Sequence, residues 1–338
     1  MVDPLEYHNV GAWLEHCRRP LLVTHQRPDG DALGAVAAVT LALRTRGLDP
    51  RPTLFETFPA RYNWLLRDLV PWRRWDQERA ALEAECDALV IVDTCASAQL
   101  EPIADFLPRA PRTLVVDHHA KPDPIATRPG DLRLLDESAG AVCLVLTELM
   151  GALGVPLNPP LANALFIGLA TDCGWFRYSN TDARVLRIAT ELANAGAVPN
   201  TIYRAVYEQE APARLRLTAR LLQSLKLLAG DRLAVLTLRQ ADFAAAGADS
   251  TMTEDLVNEP SRLGCFEATI LFTEEPDGRV RVNFRSKAAL DASKSAFDVA
   301  ALARSFGGGG HARAAGARPP GSWDDVVARV TAATVAAL

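Results

Sequence analysis

The chain has 338 residues, enough for two domains of about 150 residues that each bury a core. Its formal net charge of −5 excludes a uniformly basic surface for long nucleic acid, and its 49% of hydrophobic residues excludes a disordered chain. The six cysteines form no CxxC pair and no apolar run reaches the roughly 20 residues of a membrane span, so we expect a reduced, cytoplasmic, soluble protein.

Short apolar runs alternate with longer helical patterns in the first half of the chain. Three runs lack polar alternation, which is typical of strands covered on both faces of a parallel sheet: 20–25, 87–94 and 113–117. Three helices are predicted around them: 31–46, 140–149 and 161–170. The alternation predicts a doubly wound, mainly parallel α/β domain.

The second half has a different pattern. Helices are predicted at 182–195, 211–228, 297–305 and 323–338, and strands at 232–238, 267–272 and 279–284. Pro276–Gly278 predicts a hairpin turn, and the alternation after it indicates a strand with one wet face. We therefore expect a first domain over 1–190, a helical linker over 191–228 and a smaller α/β domain with a mixed sheet over 229–338.

Acidic and imidazole side chains follow the ends of the predicted strands and one helix. They are His25, Asp29, Asp31, Asp93, Asp117, His118, His119 and Asp172. Because the carboxyl ends of parallel strands meet at one edge of a sheet, we expect these groups to converge. So many anions would repel one another unless divalent cations lay between them. Oxygen and imidazole ligands without a thiolate favour manganese or magnesium over structural zinc.

Simpler explanations exist for each residue alone. A single aspartate at a strand end, such as Asp31 or Asp93, is more often a helix N-cap than a ligand, and a lone histidine is usually an ordinary hydrogen-bonded residue. Three of the six histidines, however, lie at these strand ends, whereas His8 and His16 fall in a polar N-terminal helix. Taken together, the cluster favours a functional site.

The same residues carry a family resemblance. The segment 25–34 (HQRPDGDALG) resembles the first motif of the DHH phosphoesterase superfamily, 92–94 (VDT) the second, 117–119 (DHH) the triplet that names it, and 170–172 (ATD) the fourth. Gly307–His311 (GGGGH) with 314–316 (AAG) resembles the signature of the associated DHHA1 domain. The stretches 172–181 and 285–287 are most similar to NrnA-type members, which are bifunctional oligoribonucleases and phosphatases of 3′-phosphoadenosine 5′-phosphate (pAp).

The resemblance implies a catalytic site with two cations, manganese first and magnesium or cobalt as alternatives. One cation would be held by His25, Asp29 and Asp93, and the second by Asp31, Asp93, His118 and Asp172, with Asp93 bridging. Two such ions lower the pKa of water enough to supply a nucleophile at neutral pH. His119 matches the position that contacts the scissile phosphate, and Asp117 would orient a ligand imidazole. Cys173 departs from the family pattern, in which small or hydroxyl residues are commoner, and is read as a packed thiol.

The second domain carries a predicted phosphate anchor. Gly307, Gly308, Gly309 and Gly310 favour a backbone nest for an anion. Between residues 278 and 318 there are eight basic residues (279, 281, 285, 287, 294, 304, 313 and 318) against the acidic 291 and 298, which gives this segment a net charge of +6. Arg285 would grip the terminal phosphate, with help from Ser286 and His311, while Arg279 and Arg281 would lie on a solvated strand face.

The predicted function follows from the resemblance. We expect a manganese-dependent 3′→5′ exoribonuclease on very short single-stranded RNA that also converts pAp to AMP. Such a substrate would bridge a catalytic and an anchoring domain. Trp175, Phe176 and Tyr178 could stack a base near the metals, although aromatic residues beside a sheet edge are more often packing groups. A phosphodiesterase for cyclic or linear dinucleotides is the alternative enzyme, and a non-catalytic nucleotide-binding regulator is the alternative from another class. We expect a monomer or homodimer without a membrane or an obligate protein partner.

Overall fold

The computed structural model describes residues 3–120, 122–253, 255–287 and 297–338. The chain divides into two compact units, Met1–Gln209 and Glu210–Leu338. The division falls inside the segment 191–228 that was predicted as the linker, and the finer division into 1–190, 191–228 and 229–338 stays a prediction. Among the described residues, no helix combines the length and the apolar character needed to cross a membrane.

The first unit contains a six-stranded parallel sheet. Its strands are β1 (Pro20–Val23), β2 (Arg51–Leu54), β3 (Arg73–Arg74), β4 (Ala88–Val92), β5 (Thr113–Asp117) and β6 (Leu132–Leu135). Their order is β3-β2-β1-β4-β5-β6, and every neighbouring pair is parallel. The strand order reverses direction between β1 and β4, which is where ligands bind in open α/β sheets. The predicted doubly wound parallel sheet is confirmed.

Helices cover both faces of this sheet. They are α1 (Pro4–Glu15), α2 (Gly30–Thr45), α3 (Trp75–Glu85), α4 (Val142–Ala152), α5 (Pro159–Asp172), α6 (Ala183–Asn194) and α7 (Pro199–Tyr207). Leu22 of β1 packs in the core with α2, α4 and α5, whereas Leu21 packs in the core with α3. At Gly34 an added Cβ would lie 2.4 Å from the carbonyl oxygen of Ala164, so α2 and α5 approach too closely for any side chain there. At Gly30 an added Cβ would lie 2.3 Å from Thr171 Oγ1, so the start of α2 lies beside the end of α5.

The second unit contains a mixed sheet of six strands. The strands are β7 (Lys226–Leu228), β8 (Leu233–Leu238), β9 (Ala268–Glu274), β10 (Val280–Ser286), β11 (Gly309–His311) and β12 (Ala314–Ala317). The helices are α8 (Pro212–Gln223), α9 (Gln240–Ala246), α10 (Val299–Ser305) and α11 (Trp323–Ala337). The order is β11-β12-β10-β9-β8-β7, in which β8 and β9 pair in parallel and the other neighbouring pairs named here are antiparallel. The predicted mixed α/β unit is confirmed, including the alternating burial along β10.

Two expectations for the second unit are wrong. The helix predicted at 211–228 ends at Gln223, because the Ser224 hydroxyl donates to Leu221 O at 2.7 Å and accepts from Thr237 N at 2.9 Å. Residues 226–228 then form β7 against β8. The four glycines do not form one continuous nest, since Gly309 and Gly310 belong to β11 and pair with β12. An added Cβ at Gly310 would lie 2.5 Å from Ala314 O, so this pairing itself requires glycine.

Candidate active site

The strand ends bring the predicted acidic and imidazole groups to one edge of the parallel sheet. His25 follows β1, Asp93 follows β4, and Asp117 ends β5. The backbone of Asp93 has a left-handed φ of 64°, which aspartate tolerates better than most residues, and its amide donates to Val116 O at 3.0 Å. A conformation of this kind costs free energy and persists only where the surroundings hold it, which is common at functional sites.

One group of candidate ligands combines His25, Asp29 and Asp93. One ligand atom of each lies within 4.8 Å of the others, and His25 Nε2 is 3.5 Å from Asp93 Oδ2. The other ring nitrogen of His25 donates to Gln26 O at 2.8 Å, so the neutral imidazole presents the lone pair of Nε2 to the group. Asp29 Oδ1 accepts from the amides of Asp31 and Ala32 as the N-cap of α2. The capping aspartate is therefore Asp29.

A second group combines Asp31, His118 and Asp172. His118 Nε2 lies 3.9 Å from Asp31 Oδ2 and 3.7 Å from Asp172 Oδ2. The Nδ1 of His118 donates to Ala139 O at 3.1 Å, which again turns Nε2 toward the carboxylates. Asp31 is 1% exposed and accepts from the amides of Val142 and Cys143, at the N-terminus of α4, at 2.7 and 3.0 Å. Such a terminus stabilises a buried carboxylate.

Asp93 joins the two groups. Its Oδ2 faces His25, while its Oδ1 lies 3.5 Å from His118 Nε2. Asp93 Oδ1 and His118 Nε2 are both buried and form no hydrogen bond among the described residues. Orphaned buried polar atoms are costly, and a cation bound to both would satisfy them. With donors that are carboxylate oxygens and imidazole nitrogens, the residues present fit a pair of divalent cations.

The electrostatics of the cluster show how strongly it needs positive charge. Burial and the charges of Asp93 and Asp172 raise the pKa of Asp31 well above its ordinary value, and burial raises that of Asp172 to about 6. Burial alone would lower the pKa of His118, but the neighbouring carboxylates raise it to about 10, and Asp93 in the same way raises that of His25 to about 9. In the protein by itself, protons supply part of the positive charge that the carboxylates attract.

His119 is held differently from the other two imidazoles. Its Nδ1 donates to Asp117 Oδ1 at 2.8 Å, and this hydrogen bond raises the pKa of His119. The ring is 56% exposed, whereas Asp117 is fully buried. The expectation that Asp117 orients a ligand imidazole is wrong for His25 and His118, whose Nδ1 atoms contact backbone carbonyls. His119 also lies near Asp93 and His118 in a third group of candidate ligands, with Nδ1 3.9 Å from Asp93 Oδ1.

In the second unit, the register of three strands aligns two predicted anchor residues. Arg285 of β10 pairs with Ala314 of β12, which pairs in turn with His311 of β11. Paired residues share a face of the sheet, so the small Ala314 separates an arginine from an exposed histidine about 10 Å away. Ser286 donates its amide to Arg313 O and its hydroxyl to Ala312 O, next to this row. Gly307 and Gly308 lead into β11, and Gly307 has a left-handed φ of 73°.

The basic character of the anchor segment is weaker than its composition suggests. Arg318 forms an ion pair with Glu275 at 2.9 Å, and Arg279 pairs with Asp277 at 2.6 Å. Glu275 and Asp277 both lie just before the basic segment 278–318 and were not included in its net charge. Arg279 is exposed, as expected, whereas Arg281 is partly buried and donates to Thr253 Oγ1. Asp291 and Lys294, which contribute to the net charge of the basic segment, lie outside the described residues.

The aromatic residues after Asp172 are mainly packing groups. Trp175 contacts Phe166 and Tyr203 edge to face, with ring centroids 6.1 and 5.0 Å apart, and Phe176 also packs against Phe166. Tyr178 is 54% exposed. The packed thiol is confirmed for Cys173, which is fully buried with a pKa raised by burial to about 12.

Sequence reasoning missed a supporting loop beside the cluster. Asp136 and Ala139 follow β6, and Arg184 of α6 forms an ion pair with Asp136 at 2.8 Å. The strand β6 (LRLL) is short and interrupted by an arginine, so it did not resemble the other buried strands. The available signal in the sequence was Asp136, a carboxylate directly after the leucine-rich run 132–135.

Comparison with known proteins agrees with this geometry. The family model described as "DHH family, N-terminal domain" matches residues 20–169, and the DHHA1 domain model matches residues 230–335. The chain belongs to the DHH family. This is a DHH phosphoesterase with groups able to hold metal ions.

Two curated relatives have the name "Bifunctional oligoribonuclease and PAP phosphatase NrnA". The Bacillus subtilis protein is 27% identical over 90% of this chain and 90% of its own length. The Thermus thermophilus protein is 27% identical over 88% of this chain and 82% of its own length. A solved exopolyphosphatase-related protein from Bacteroides fragilis aligns with a TM-score of 0.87 and 22% identity, over 99% of this chain and 96% of that one, which shows a shared fold.

Proposed function

We propose that this protein is a manganese-dependent phosphohydrolase that degrades RNA of about two to five nucleotides from the 3′ end. It would release 5′-mononucleotides and would also remove the 3′-phosphate of pAp to give AMP. The observation that carries this proposal is the Asp93 carboxylate, which presents one oxygen to each of two ligand groups. The names of the two NrnA relatives support the choice of substrates.

The proposed ligands follow the two groups in the first unit. His25 and Asp29 would hold one ion, Asp31, His118 and Asp172 would hold the other, and Asp93 would contact both. When bound, two divalent cations lower the pKa of water and neutralise charge on phosphate oxygens. The buried carboxylates supply the negative charge that retains such ions, and the N-terminus of α4 fixes Asp31 among them.

His119 is proposed to act on the phosphate directly. Asp117 holds its Nδ1, so the ring presents Nε2 as its free end. The raised pKa of His119 favours the protonated ring, which can donate a hydrogen bond to a phosphate oxygen or a proton to the leaving oxygen. Because the His119 ring is exposed, a substrate phosphate can reach it, whereas a buried side chain would not be accessible.

The anchor in the second unit is proposed to select substrates with a second phosphate. Arg285 and His311 flank Ala314 on one face, and the exposed Gly309 and Gly310 lie in the edge strand next to them. The amides of Gly307 and Gly308 donate to Arg304 O and Ala303 O and are therefore not part of this anchor. A planar guanidinium can bind two phosphate oxygens at once. The bridging of both units by one short substrate stays a prediction.

A substrate comparison tests this function. We would measure kcat/KM with manganese for pAp, a dinucleotide RNA, a five-nucleotide RNA and a cyclic dinucleotide, with the Asp93→Asn variant as a control for contaminating nucleases. The proposal expects the RNA substrates and pAp to be hydrolysed faster than the cyclic dinucleotide. Turnover of the cyclic species alone would replace the proposal with a dinucleotide phosphodiesterase, and binding without turnover of any of them would indicate a nucleotide-binding regulator.

A further inference from the structure

One short segment of backbone supports all three ligands of the second group. Within residues 136–143, Ala139 O accepts from His118, and the amides of Val142 and Cys143 donate to Asp31. Asn180 Nδ2 donates both to Gly140 O at 2.9 Å and to Asp172 O at 3.3 Å. The position of this segment therefore sets where Asp31, His118 and Asp172 lie relative to one another.

Arg184 of α6 contacts the first residue of this segment, Asp136. Its NH1 is 2.8 Å from Asp136 Oδ2, and its Nε donates to Glu148 Oε1 at 2.9 Å. The Arg184 and Asp136 side chains are only 12% and 3% exposed, so solvent screens this ion pair much less than a surface pair. Asp136 also donates its amide to Asp117 O at 3.0 Å and accepts from Ser138 N at 3.1 Å, which fixes the start of the segment.

The first group of ligands does not depend on this segment. His25 donates to Gln26 O, and Asp29 accepts from amides of its own helix. The amide of Asp93 donates to Val116 O on β5. A shift of residues 136–143 would therefore disturb one group and leave the contacts of the other in place.

We infer that Arg184, acting through Asp136, is a positioning residue that sets the metal affinity of the Asp31–His118–Asp172 group selectively. The inference rests on the proposed two-cation function. Loss of the arginine would leave the buried Asp136 carboxylate without its cationic partner, and the segment would move to rehydrate it, whereas the part-buried Glu148 would keep its ion pair with Arg187. Residues that orient metal ligands typically change metal affinity about 10- to 100-fold when they are replaced.

The experiment is a manganese titration of the full chain by calorimetry and by electron paramagnetic resonance. The wild type should bind two ions, with the broadened spectrum of a coupled pair. In Arg184→Gln, one binding step should weaken about 10-fold or more and the other should stay within about twofold. Below saturation of the weakened step, the variant should show the six-line spectrum of an isolated ion. The weakened step should be the one that Asp172→Asn removes, because Asp172 belongs only to the second group.

Two further variants separate positioning from general stability. Arg187→Gln is the matched control, since Arg187 is 59% exposed and contacts Glu148 but has no contact with Asp136 among the described ion pairs, and both binding steps should remain normal. Arg184→Lys should recover part of the lost affinity. Asp136→Asn should weaken the same step as Arg184→Gln, and it decides the question if Arg184→Gln does not fold.

The outcomes distinguish this inference from the proposed function. A folded Arg184→Gln protein that binds both ions like the wild type, or that weakens both equally, overturns the inference while the two-cation site stands. A wild-type protein that binds fewer than two ions overturns the proposed function, and the inference with it. Selective weakening of one manganese-binding step supports the inference. For pAp, the fold decrease in kcat should then be larger than the fold increase in KM.

Discussion

The acidic cluster of the first unit and the glycine-rich edge of the second unit, which are the two proposed binding regions for an anionic substrate, differ in burial and in how their groups are held. In the cluster, Asp31 and Asp93 are almost fully buried, and backbone groups hold the side chains around them. At the edge, Gly309–His311 are all exposed. Buried charges whose positions are fixed can perform chemistry, because little reorganisation is needed during the reaction. Exposed groups are screened by water and contribute mainly affinity.

The two regions also differ in what their sequence patterns require. The cluster needs particular acids and imidazoles at four strand or helix ends, and hydrogen bonds to backbone groups hold the side chains of His25, Asp31 and His118. The edge needs glycine at Gly308 and Gly310 for close backbone contact, since an added Cβ would lie 2.1 Å from Gly316 O and 2.5 Å from Ala314 O. Substitution in the first region should therefore reduce kcat and metal binding, and substitution in the second should raise KM.

The largest effect is expected for Asp93→Asn. Asparagine tolerates the left-handed backbone of residue 93, so the fold should survive, but the carboxylate that both groups share would be lost. We expect kcat to fall by about 10³-fold or more and manganese binding to weaken at both positions. Asp105→Asn is the control, because Asp105 is 62% exposed and forms ion pairs with Arg79 and Arg109, neither of which is a candidate ligand. Near-normal turnover by Asp93→Asn would contradict the proposed site.

His119→Ala separates binding of metal from action on the phosphate. We expect kcat for pAp to fall by about 10²-fold or more, because a donor to the phosphate is removed, while manganese affinity stays near normal. Steady-state kinetics and a metal titration measure the two quantities, with the exposed His8→Ala as control. Loss of a metal ion from His119→Ala would instead assign His119 to the ligands, through its proximity to Asp93 and His118.

Arg285→Ala tests the other side of the comparison. Removal of a charged hydrogen bond to a phosphate should raise KM for pAp about 10- to 100-fold, with kcat changed by no more than about twofold. Arg279→Ala provides the matched control, since Arg279 is 69% exposed and pairs with Asp277. A large fall in kcat with unchanged KM would place Arg285 in the chemistry instead of the anchor.

The smallest effect concerns pH and the metal-free protein. Folded-state pKa values of about 9 for His25 and about 10 for His118 lie above the ordinary imidazole value, so the stability that these protons contribute is present below about pH 6.5 and is lost as pH rises through 9 and 10. The raised pKa of Asp172, about 6, acts in the same direction at lower pH. The lowered pKa of Asp93 acts in the opposite direction, but only in the acid range of an ordinary aspartate.

Thermal unfolding after chelation should therefore show a Tm a few degrees lower at pH 9.5 than at pH 6.5. Manganese should reverse or flatten this slope, because the cation takes the place of the protons and binds better when they are gone. An identical slope with and without manganese would show that the two histidines do not couple to the metal.

The sequence by itself determined the parallel sheet and the convergence of the cluster. Unbroken apolar runs with polar ends require burial on both faces, and carboxyl ends of parallel strands share an edge, so His25, Asp93 and Asp117 had to meet. The sequence also determined α2, the helix after the first strand. This helix ends before Gly47, which has a left-handed φ of 77° that glycine adopts readily at the end of a helix.

Only the tertiary structure decided which partner each side chain takes. Asp117 could serve any of three imidazoles, and the fold assigns it to His119, because backbone carbonyls already occupy the Nδ1 atoms of the other two. The pairing of the glycine run as an edge strand and the contact of Arg184 with Asp136 likewise join residues that are distant along the chain. Local patterns report which face a residue buries, whereas hydrogen bonds between segments depend on packing that no single segment encodes.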